Sequence, residues 1–150
     1  MTQTRLAFTT ILLLAFSLLF AQKKTEIPFT IAKNYFVNNS YKTGDLSNYK
    51  ILTAQKFEQL IGMATLMGPD GKPTEIDFSK QFVIIVVNPQ TDSPTKLTPE
   101  KLTATGSNKL IFEYKTEIGE KTTYTMTPFT MIIVDKKYKN RKIILKTHTL

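Results

Sequence analysis

Cysteine is missing from this 150-residue sequence, and histidine and arginine are almost missing. The lack of cysteine excludes disulfides, thiolate catalysis and cysteine-containing zinc sites. The single histidine, His148, lies near the C-terminal end of the sequence, where chains tend to fray, so we expect no catalytic base there. Arginine recognises phosphates and bases through paired hydrogen bonds, and Arg141 is the only arginine after residue 5. The composition therefore argues against nucleic acid as a partner.

Motifs for phosphate, metal or acid–base chemistry are also lacking. The stretch Gly68–Gly71 is interrupted by one proline and closely followed by another, which does not fit a phosphate-binding loop ahead of a helix. Asp70, Glu75 and Asp77 do not have the spacing of a calcium loop. Glu113 is expected to point to solvent beside a lysine, so a hydrolase built on Glu113 or Asp77 is the least favoured hypothesis. We predict no enzyme activity, no metal and no cofactor.

The residues that are present fit a folded, basic domain. Hydrophobic residues make up 41% and charged residues 21% of the sequence, which argues against global disorder. The length fits one domain with a substantial core. The formal net charge of +8 either attracts anionic partners or serves solubility.

Residues 1–21 have the pattern of a secretory signal peptide. Arg5 precedes an apolar run that ends in Ala21, and the run is shorter than the ~20 residues of a spanning helix. We expect cleavage after Ala21, with an uncleaved anchor as the alternative. The sequence therefore predicts an exported protein, periplasmic or extracellular, with one folded domain at residues 22–150.

The most hydrophobic stretch of that domain is Phe82–Val87, in which five of six residues are β-branched. Its length and the flanking Lys80-Gln81 and Asn88-Pro89 predict a strand buried on both faces. Before it, the carboxylate of Asp77 is expected to accept backbone donors in a tight turn. The second apolar run, Phe129–Val134, is expected to be its neighbour in the centre of the sheet.

The remaining pattern predicts one helix among short strands. Thr53–Ile61 reads as an amphipathic helix capped by Thr53 and stopped by Gly62. Strands are expected within Ile27–Val37, and also at Lys101–Thr105, Lys109–Lys115, Lys121–Thr127 and Ile143–Lys146, with a hairpin turn at Gly106–Asn108.

Two surfaces between these elements are candidates for contact with a partner. Pro89–Pro99 is expected to be a proline-interrupted loop, which is either functional or a passive connector. Met63, Leu66 and Met67 either line an adaptable contact surface or fill gaps at the core edge.

A charged turn at Asp135–Lys142 holds the sharpest positive feature. Its candidate binding residues are Lys136, Lys137, Tyr138, Lys139, Arg141 and Lys142. Such a turn can bind an anionic polymer, a lipid headgroup or an acidic partner. The alternative is a hairpin turn with a structural role, whose lysines discourage edge-to-edge aggregation.

One combination of motifs is familiar. Phe57-x-x-Leu60-Ile61 is followed by a Gly/Pro loop, by Ile76–Lys80 leading into Phe82–Val87, by hairpins, and by Thr127–Val134. This order resembles the PrcB-like domains of bacterial exported proteins over residues 53–134, although Lys96–Thr105 lacks the Gly-Gly-Tyr segment usual there. The resemblance implies a protease-associated or protein-binding accessory domain.

These observations together predict an α+β domain: a mainly antiparallel β-sheet or small β-sandwich with one amphipathic helix packed on it. The expected function is that of an exported, non-enzymatic binding or accessory module with a protein partner. The alternative is electrostatic binding of anionic envelope polymers or lipid headgroups at a membrane surface, through the charged turn.

Overall fold

A computed structural model describes residues 24–42, 49–65, 68 and 70–149. The predicted signal peptide, residues 1–21, lies outside this part of the chain. Among the described residues, no helix is both long enough and apolar enough to cross a membrane.

The described residues form ten strands, one α-helix and one short 3₁₀ turn. The strands are β1 (Lys24–Glu26), β2 (Thr30–Ile31), β3 (Tyr35–Val37), β4 (Lys50–Ile51), β5 (Ile61–Met63), β6 (Gln81–Val87), β7 (Thr95–Thr105), β8 (Lys109–Ile118), β9 (Phe129–Asp135) and β10 (Lys142–Thr149). The helix α1 (Ala54–Leu60) lies between β4 and β5, and the 3₁₀ turn η1 (Lys136–Tyr138) lies between β9 and β10. Three mostly antiparallel sheets with one short helix confirm the predicted α+β class, with strands dominating.

The middle sheet is built around the two apolar runs. Its strand order is β2-β9-β6-β4, and β6 pairs with β9 in antiparallel register from Gln81 opposite Asp135 to Val87 opposite Phe129. The prediction that these two runs are neighbours is confirmed. The turn before β6 also forms as predicted, because an Asp77 carboxylate oxygen accepts from the Ser79 N–H at 2.9 Å.

The outer sheet has the order β1-β7-β8-β10. The strands β7 and β8 form the predicted hairpin around Gly106–Asn108, and Gly106 takes the left-handed conformation that this turn requires (φ 61°). The last strand, β10, runs parallel to β8. Its predecessor β9 belongs to the middle sheet, so η1 carries the chain across to the outer sheet instead of folding it back in a hairpin.

Two hydrophobic cores lie on the two faces of the middle sheet. Between the middle and outer sheets, Phe82 and Ile84 pack with Leu102 and Phe112. On the opposite face, Val83 and Ile85 pack with residues of α1 and of the small sheet formed by β3 and β5. The apolar run of β6 is therefore continuous because alternate side chains serve different cores, as predicted for a strand buried on both faces.

The helix α1 begins as predicted and ends differently. The Thr53 hydroxyl accepts from the Lys56 N–H at 3.3 Å, which caps the first turn. The expected stop at Gly62 is wrong, because the chain becomes extended at Ile61 and continues directly into β5. Gly62 lies opposite Phe36 on β3, and a Cβ there would be 2.2 Å from the phenyl ring, so this glycine serves side-chain packing.

The strands expected within Ile27–Val37 form as β2 and β3, and they belong to two sheets because Asn34 takes a left-handed conformation (φ 62°) between them. Two other local predictions need correction. Lys121–Thr127 is not a strand; the Thr122 hydroxyl bonds to nearby carbonyls, and one isolated bridge joins Met126 to Thr91.

The predicted loop Pro89–Pro99 ends earlier, at Pro94, because β7 begins at Thr95. Pro99 is tolerated in β7 because it lies beside a bulge between Pro99 and Lys101, beyond the residues of β7 that pair with β1.

Candidate functional site

The six residues predicted as a binding site lie on η1 and the start of β10, and three of their cations make contacts within the protein. The Lys136 ammonium donates to the Phe78 carbonyl. Lys137 lies 3.4 Å from the Asp135 carboxylate, and the Arg141 guanidinium donates to the Gly106 carbonyl at 3.0 Å. These contacts fix the turn against its neighbours.

Tyr138 anchors the turn to the protein. Its half-buried ring packs against the core between the middle and outer sheets. The Lys137 ammonium lies 5.1 Å and the Arg141 guanidinium 5.5 Å from the ring centroid, within the range of cation–π attraction. The ring is therefore already occupied by cations of its own chain.

Lys50 on β4 holds the turn from the other side. Its ammonium donates to the carbonyls of Lys139 and Arg141, at 2.8 Å each. The turn is thus held by side chains from several elements. Within the described residues, the side chains of Lys139 and Lys142 make no hydrogen bond or ion pair, so these two are the cations of the predicted set that remain open to a ligand.

A predominantly apolar groove lies between α1, β5 and the segment before β6. We call it the aromatic groove; it encloses about 400 Å³ and is lined by Tyr35, Ala54, Phe57, Glu58, Ile61, Gly62, Met63, Ile76 and Phe78. Phe57 belongs to the buried face of α1, so the groove opens directly onto the second core.

Three aromatic rings form the groove wall, and the middle one, Phe57, contacts both of the others. Tyr35 meets Phe57 edge-on with 5.2 Å between ring centroids, and Phe57 meets Phe78 at 5.5 Å. The Tyr35 hydroxyl donates to the Thr74 carbonyl at 2.6 Å, and burial raises the pKa of that hydroxyl. Because the phenol is neutral and its donor is occupied, the ring offers the groove an apolar surface.

Polar contacts hold the loop beside this wall. The side-chain amide of Asn34 donates to the carbonyls of Asp70 and Lys72, at 2.7 and 2.9 Å. The Lys33 N–H donates to the Thr74 hydroxyl at 3.0 Å. The segment that carries Ile76 and Phe78 is therefore tied to the chain around β3 by hydrogen bonds within the protein.

The mouth of the groove combines an apolar and an acidic side chain. Met63 is 70% exposed, the largest value among the exposed large hydrophobic residues of the described chain. Glu58 is exposed on α1, and within the described residues its carboxylate makes no hydrogen bond or ion pair. The groove can thus take up an apolar group and attract a positive charge beside it.

Sequence reasoning recognised only part of this groove. Met63 was one of the methionines for which a contact surface was considered, and its exposure favours that interpretation; Leu66 and Met67 lie outside the described residues. The sequence pattern predicts a strand around Tyr35 and a turn around Phe78. Their rings contact Phe57 only because the fold brings distant parts of the chain together, and no local sequence pattern indicates these contacts.

The two carboxylates of the hydrolase hypothesis, Glu113 and Asp77, and the nearby Glu117 make contacts with cations or backbone donors. Glu113 lies 2.8 Å from the Lys146 ammonium and Glu117 lies 2.9 Å from that of Lys115; these hydrogen bonds hold the pKa of each carboxyl below its ordinary value. Hydrogen bonds from the Ser79 hydroxyl and N–H likewise lower the pKa of Asp77.

His148 was expected near a frayed end but lies within β10, opposite Lys115 and 3.4 Å from the Glu100 carboxylate. Among the described residues, no group of three acidic or histidine side chains is placed to hold a metal ion.

Comparison with known proteins gives no match to a family model, to a curated protein or to a solved structure. The resemblance to PrcB-like domains therefore stays a prediction.

Proposed function

We propose that this protein is a non-enzymatic binding module that takes an apolar side chain of a partner protein into the aromatic groove, beside a partner cation that pairs with Glu58. The observation that carries this proposal is a concavity of about 400 Å³ with three aromatic rings in its wall. Buried aromatic and aliphatic anchors in such pockets supply most of the binding energy at protein interfaces.

The groove suits a protein side chain of variable shape. Met63 at its mouth is flexible and polarizable, and such side chains adapt to different apolar partners. Burying one Leu, Met or Phe of the partner contributes about 1.5–3 kcal/mol before the costs of association. Neighbouring contacts around the groove have to supply the remaining affinity.

Charge complementarity determines which partner side chain lies beside the anchor. The protein has a formal net charge of +8, yet the groove mouth carries the unpaired carboxylate of Glu58. A lysine or arginine next to the partner's apolar anchor is therefore favoured, and an acidic residue in that place is disfavoured. This proposal agrees with the sequence-based expectation of an exported accessory domain.

The experiment uses arrays of short synthetic peptides in which one Leu, Met or Phe is followed by Lys, Glu or Ser. Binding is expected for the apolar peptides, with Lys preferred over Glu as the following residue. Ala54→Trp fills the groove from its exposed rim and should abolish this binding. Gln55→Trp places the same side chain on the exposed neighbouring position, outside the groove lining, and should leave binding intact.

Charge reversal tests the role of Glu58 separately. Glu58→Lys should change the preference from Lys-containing to Glu-containing peptides, whereas Glu120→Lys, an exposed site at the end of β8, should not. Equal binding of all peptides, or equal effects of Ala54→Trp and Gln55→Trp, would reject the groove as the binding site.

A further inference from the structure

The pairing of four strands brings three lysines into one line across the outer sheet. Lys24 on β1 pairs with Thr105 on β7, Thr105 pairs with Lys109 on β8, and Lys109 pairs with Lys142 on β10. Residues that pair directly across strands point to the same face, here the face turned away from the core. We call Lys24, Lys109 and Lys142 the lysine row.

The lysine row differs from the other charged rows of this face. The next row on this face consists of Glu26, Thr103, Ile111 and Ile144, and its carboxylate, Glu26, lies 3.2 Å from the Lys101 ammonium. In the row after it, Lys101, Glu113 and Lys146 lie side by side, with the Lys146 ammonium 2.8 Å from Glu113. Further on, Lys96 lies opposite Glu117 at 3.9 Å. These rows contain carboxylates that neutralise their lysines. Within the described residues, the lysine row itself contains no carboxylate, and only Lys24 at its end is close enough to help lower the pKa of Glu113.

The arrangement is unfavourable for the isolated protein. Lys109 and Lys142 are direct neighbours on adjacent strands, about 5 Å apart in the backbone, and like charges in that position repel each other. Opposite charges on paired residues of neighbouring strands are favourable, as at Glu113 and Glu117, which lie opposite lysines. An acidic residue opposite Lys109 would be favourable for the same reason. An anionic ligand across the row would turn this repulsion into attraction.

Other groups at the same end of the sheet extend the positive surface. The Arg141 guanidinium is bonded to the Gly106 carbonyl, and therefore lies at the hairpin that joins β7 to β8. The exposed side chains of Ser107 and Asn108 on this hairpin supply neutral hydrogen-bonding groups. Between Lys24 and Lys109, the Thr105 hydroxyl is buried and has no hydrogen-bond partner.

We propose that the lysine row binds a linear anionic polysaccharide that lies across the outer sheet, perpendicular to its strands. The lysines meet the acidic groups as point charges, and the exposed side chains of Ser107 and Asn108 meet sugar hydroxyls. The charge pattern favours a narrow polymer over a membrane, because the uncompensated lysines lie in one row. In the neighbouring rows Glu26, Glu113 and Glu117 are paired with lysines, so a flat anionic surface gains little further attraction there. Nucleic acid is disfavoured because the row carries no aromatic ring for base stacking.

The surface lies on the opposite side of the molecule from the aromatic groove, with the middle sheet between them. This inference therefore does not depend on the proposed protein partner, and each can fail alone.

The experiment measures binding of fluorescently labelled heparin and labelled polygalacturonate to the purified protein at low salt. The triple variant K24Q/K109Q/K142Q should bind both polymers roughly tenfold more weakly, because three exposed ion pairs are lost together. The matched control K33Q/K56Q/K72Q removes the same charge from lysines outside the outer sheet, and its affinity should change less than about twofold. Glu26→Gln should strengthen binding, because it removes the carboxylate next to the row.

Further probes distinguish the ligand classes. Thermal unfolding should show that K24Q/K109Q/K142Q is folded and no less stable than the parent, since the substitutions relieve a repulsion. Equal losses in the two triple variants would overturn the proposal, because binding would then depend on net charge alone. Tighter, row-dependent binding of long-chain polyphosphate or of phosphatidylglycerol vesicles would overturn the choice of a polysaccharide.

Discussion

Some single residues of this protein have packing roles that the local sequence pattern does not reveal. Gly62 sits in a helix-ending context, yet its role is to leave room for the Phe36 ring across the β3–β5 pair. An aromatic ring that covers a glycine on the neighbouring strand compensates for the missing side chain. The role of Gly62 therefore follows from its partner and not from its backbone conformation.

Gly62→Ala should destabilise the protein by about 1 kcal/mol, because the new methyl group displaces the Phe36 ring. The ring is 47% exposed and can move, which keeps the cost at the lower end of overpacking effects. In a Phe36→Ala background the same substitution should be neutral or slightly stabilising. Urea unfolding of the four proteins measures this coupling; equal effects of Gly62→Ala in both backgrounds would contradict it.

The elements differ in how far local sequence determines them. Phe82–Val87 and Phe129–Val134 were predictable, because burial on both faces leaves a continuous apolar run that few other structures explain. The parallel pairing of β10 with β8 was not predictable, because it depends on which sheet β9 joins. The start of β7 was hidden by prolines, which are tolerated because this part of the strand pairs with β8 on one side only.

The candidate sites were less predictable than the fold. The turn Lys136–Lys142 was visible as a run of charges, but several of its cations are used internally. The lysine row joins residues up to 118 positions apart, and only the register of three strand pairs brings them together. The aromatic groove has the same origin in long-range contacts.

The short helix α1 depends on its N-terminal cap. It has seven residues, too few for a helix that is stable by itself, so packing of Phe57 and Leu60 and the cap at Thr53 have to support it. Thr53→Ala should lower the free energy of unfolding by about 1 kcal/mol. Thr123→Ala, at an exposed position outside the strands and the helix, should have little effect, and an equal loss in both variants would refute the cap as the cause.

At the scale of the whole molecule, the middle sheet couples the two cores. Ile84 and Ile85 are adjacent and fully buried, yet they belong to different cores. Ile84→Ala and Ile85→Ala should each cost about 2–5 kcal/mol. Since both cores share β6, each variant should still unfold in one transition, with coincident far-UV and near-UV circular dichroism curves. A biphasic curve in which one core melts first would contradict this coupling.

Acid should destabilise the whole molecule through its surface carboxylates. The pKa values of Asp77, Glu113, Glu117 and Asp135 are lowered in the folded protein, mainly by hydrogen bonds from Ser79, Lys146, Lys115 and Lys137, respectively. A lowered folded-state pKa gives a contribution that is complete above the ordinary pKa, here 3.8 or 4.5, and is lost as pH falls through the folded value.

The free energy of unfolding should therefore be level from pH 7 to about pH 5 with respect to these groups and decline below about pH 4.5. Asp77→Asn should make the decline shallower, because it removes one of the contributing groups. Asp70→Asn, which changes an exposed aspartate in the loop before β6, is the matched control. Identical pH profiles for the two variants would contradict the assignment to Asp77.

The middle sheet also determines how backbone amides exchange with deuterated solvent. An amide paired between β6 and β9 reaches solvent only when the layers on both faces separate, so it should exchange solely through global unfolding and report the full stability of the protein. The strand β10 is bonded on one side only within the described residues, and its outward amides should exchange early. Amide exchange should therefore be slowest in the central β6–β9 pair and fastest at the edge strand β10.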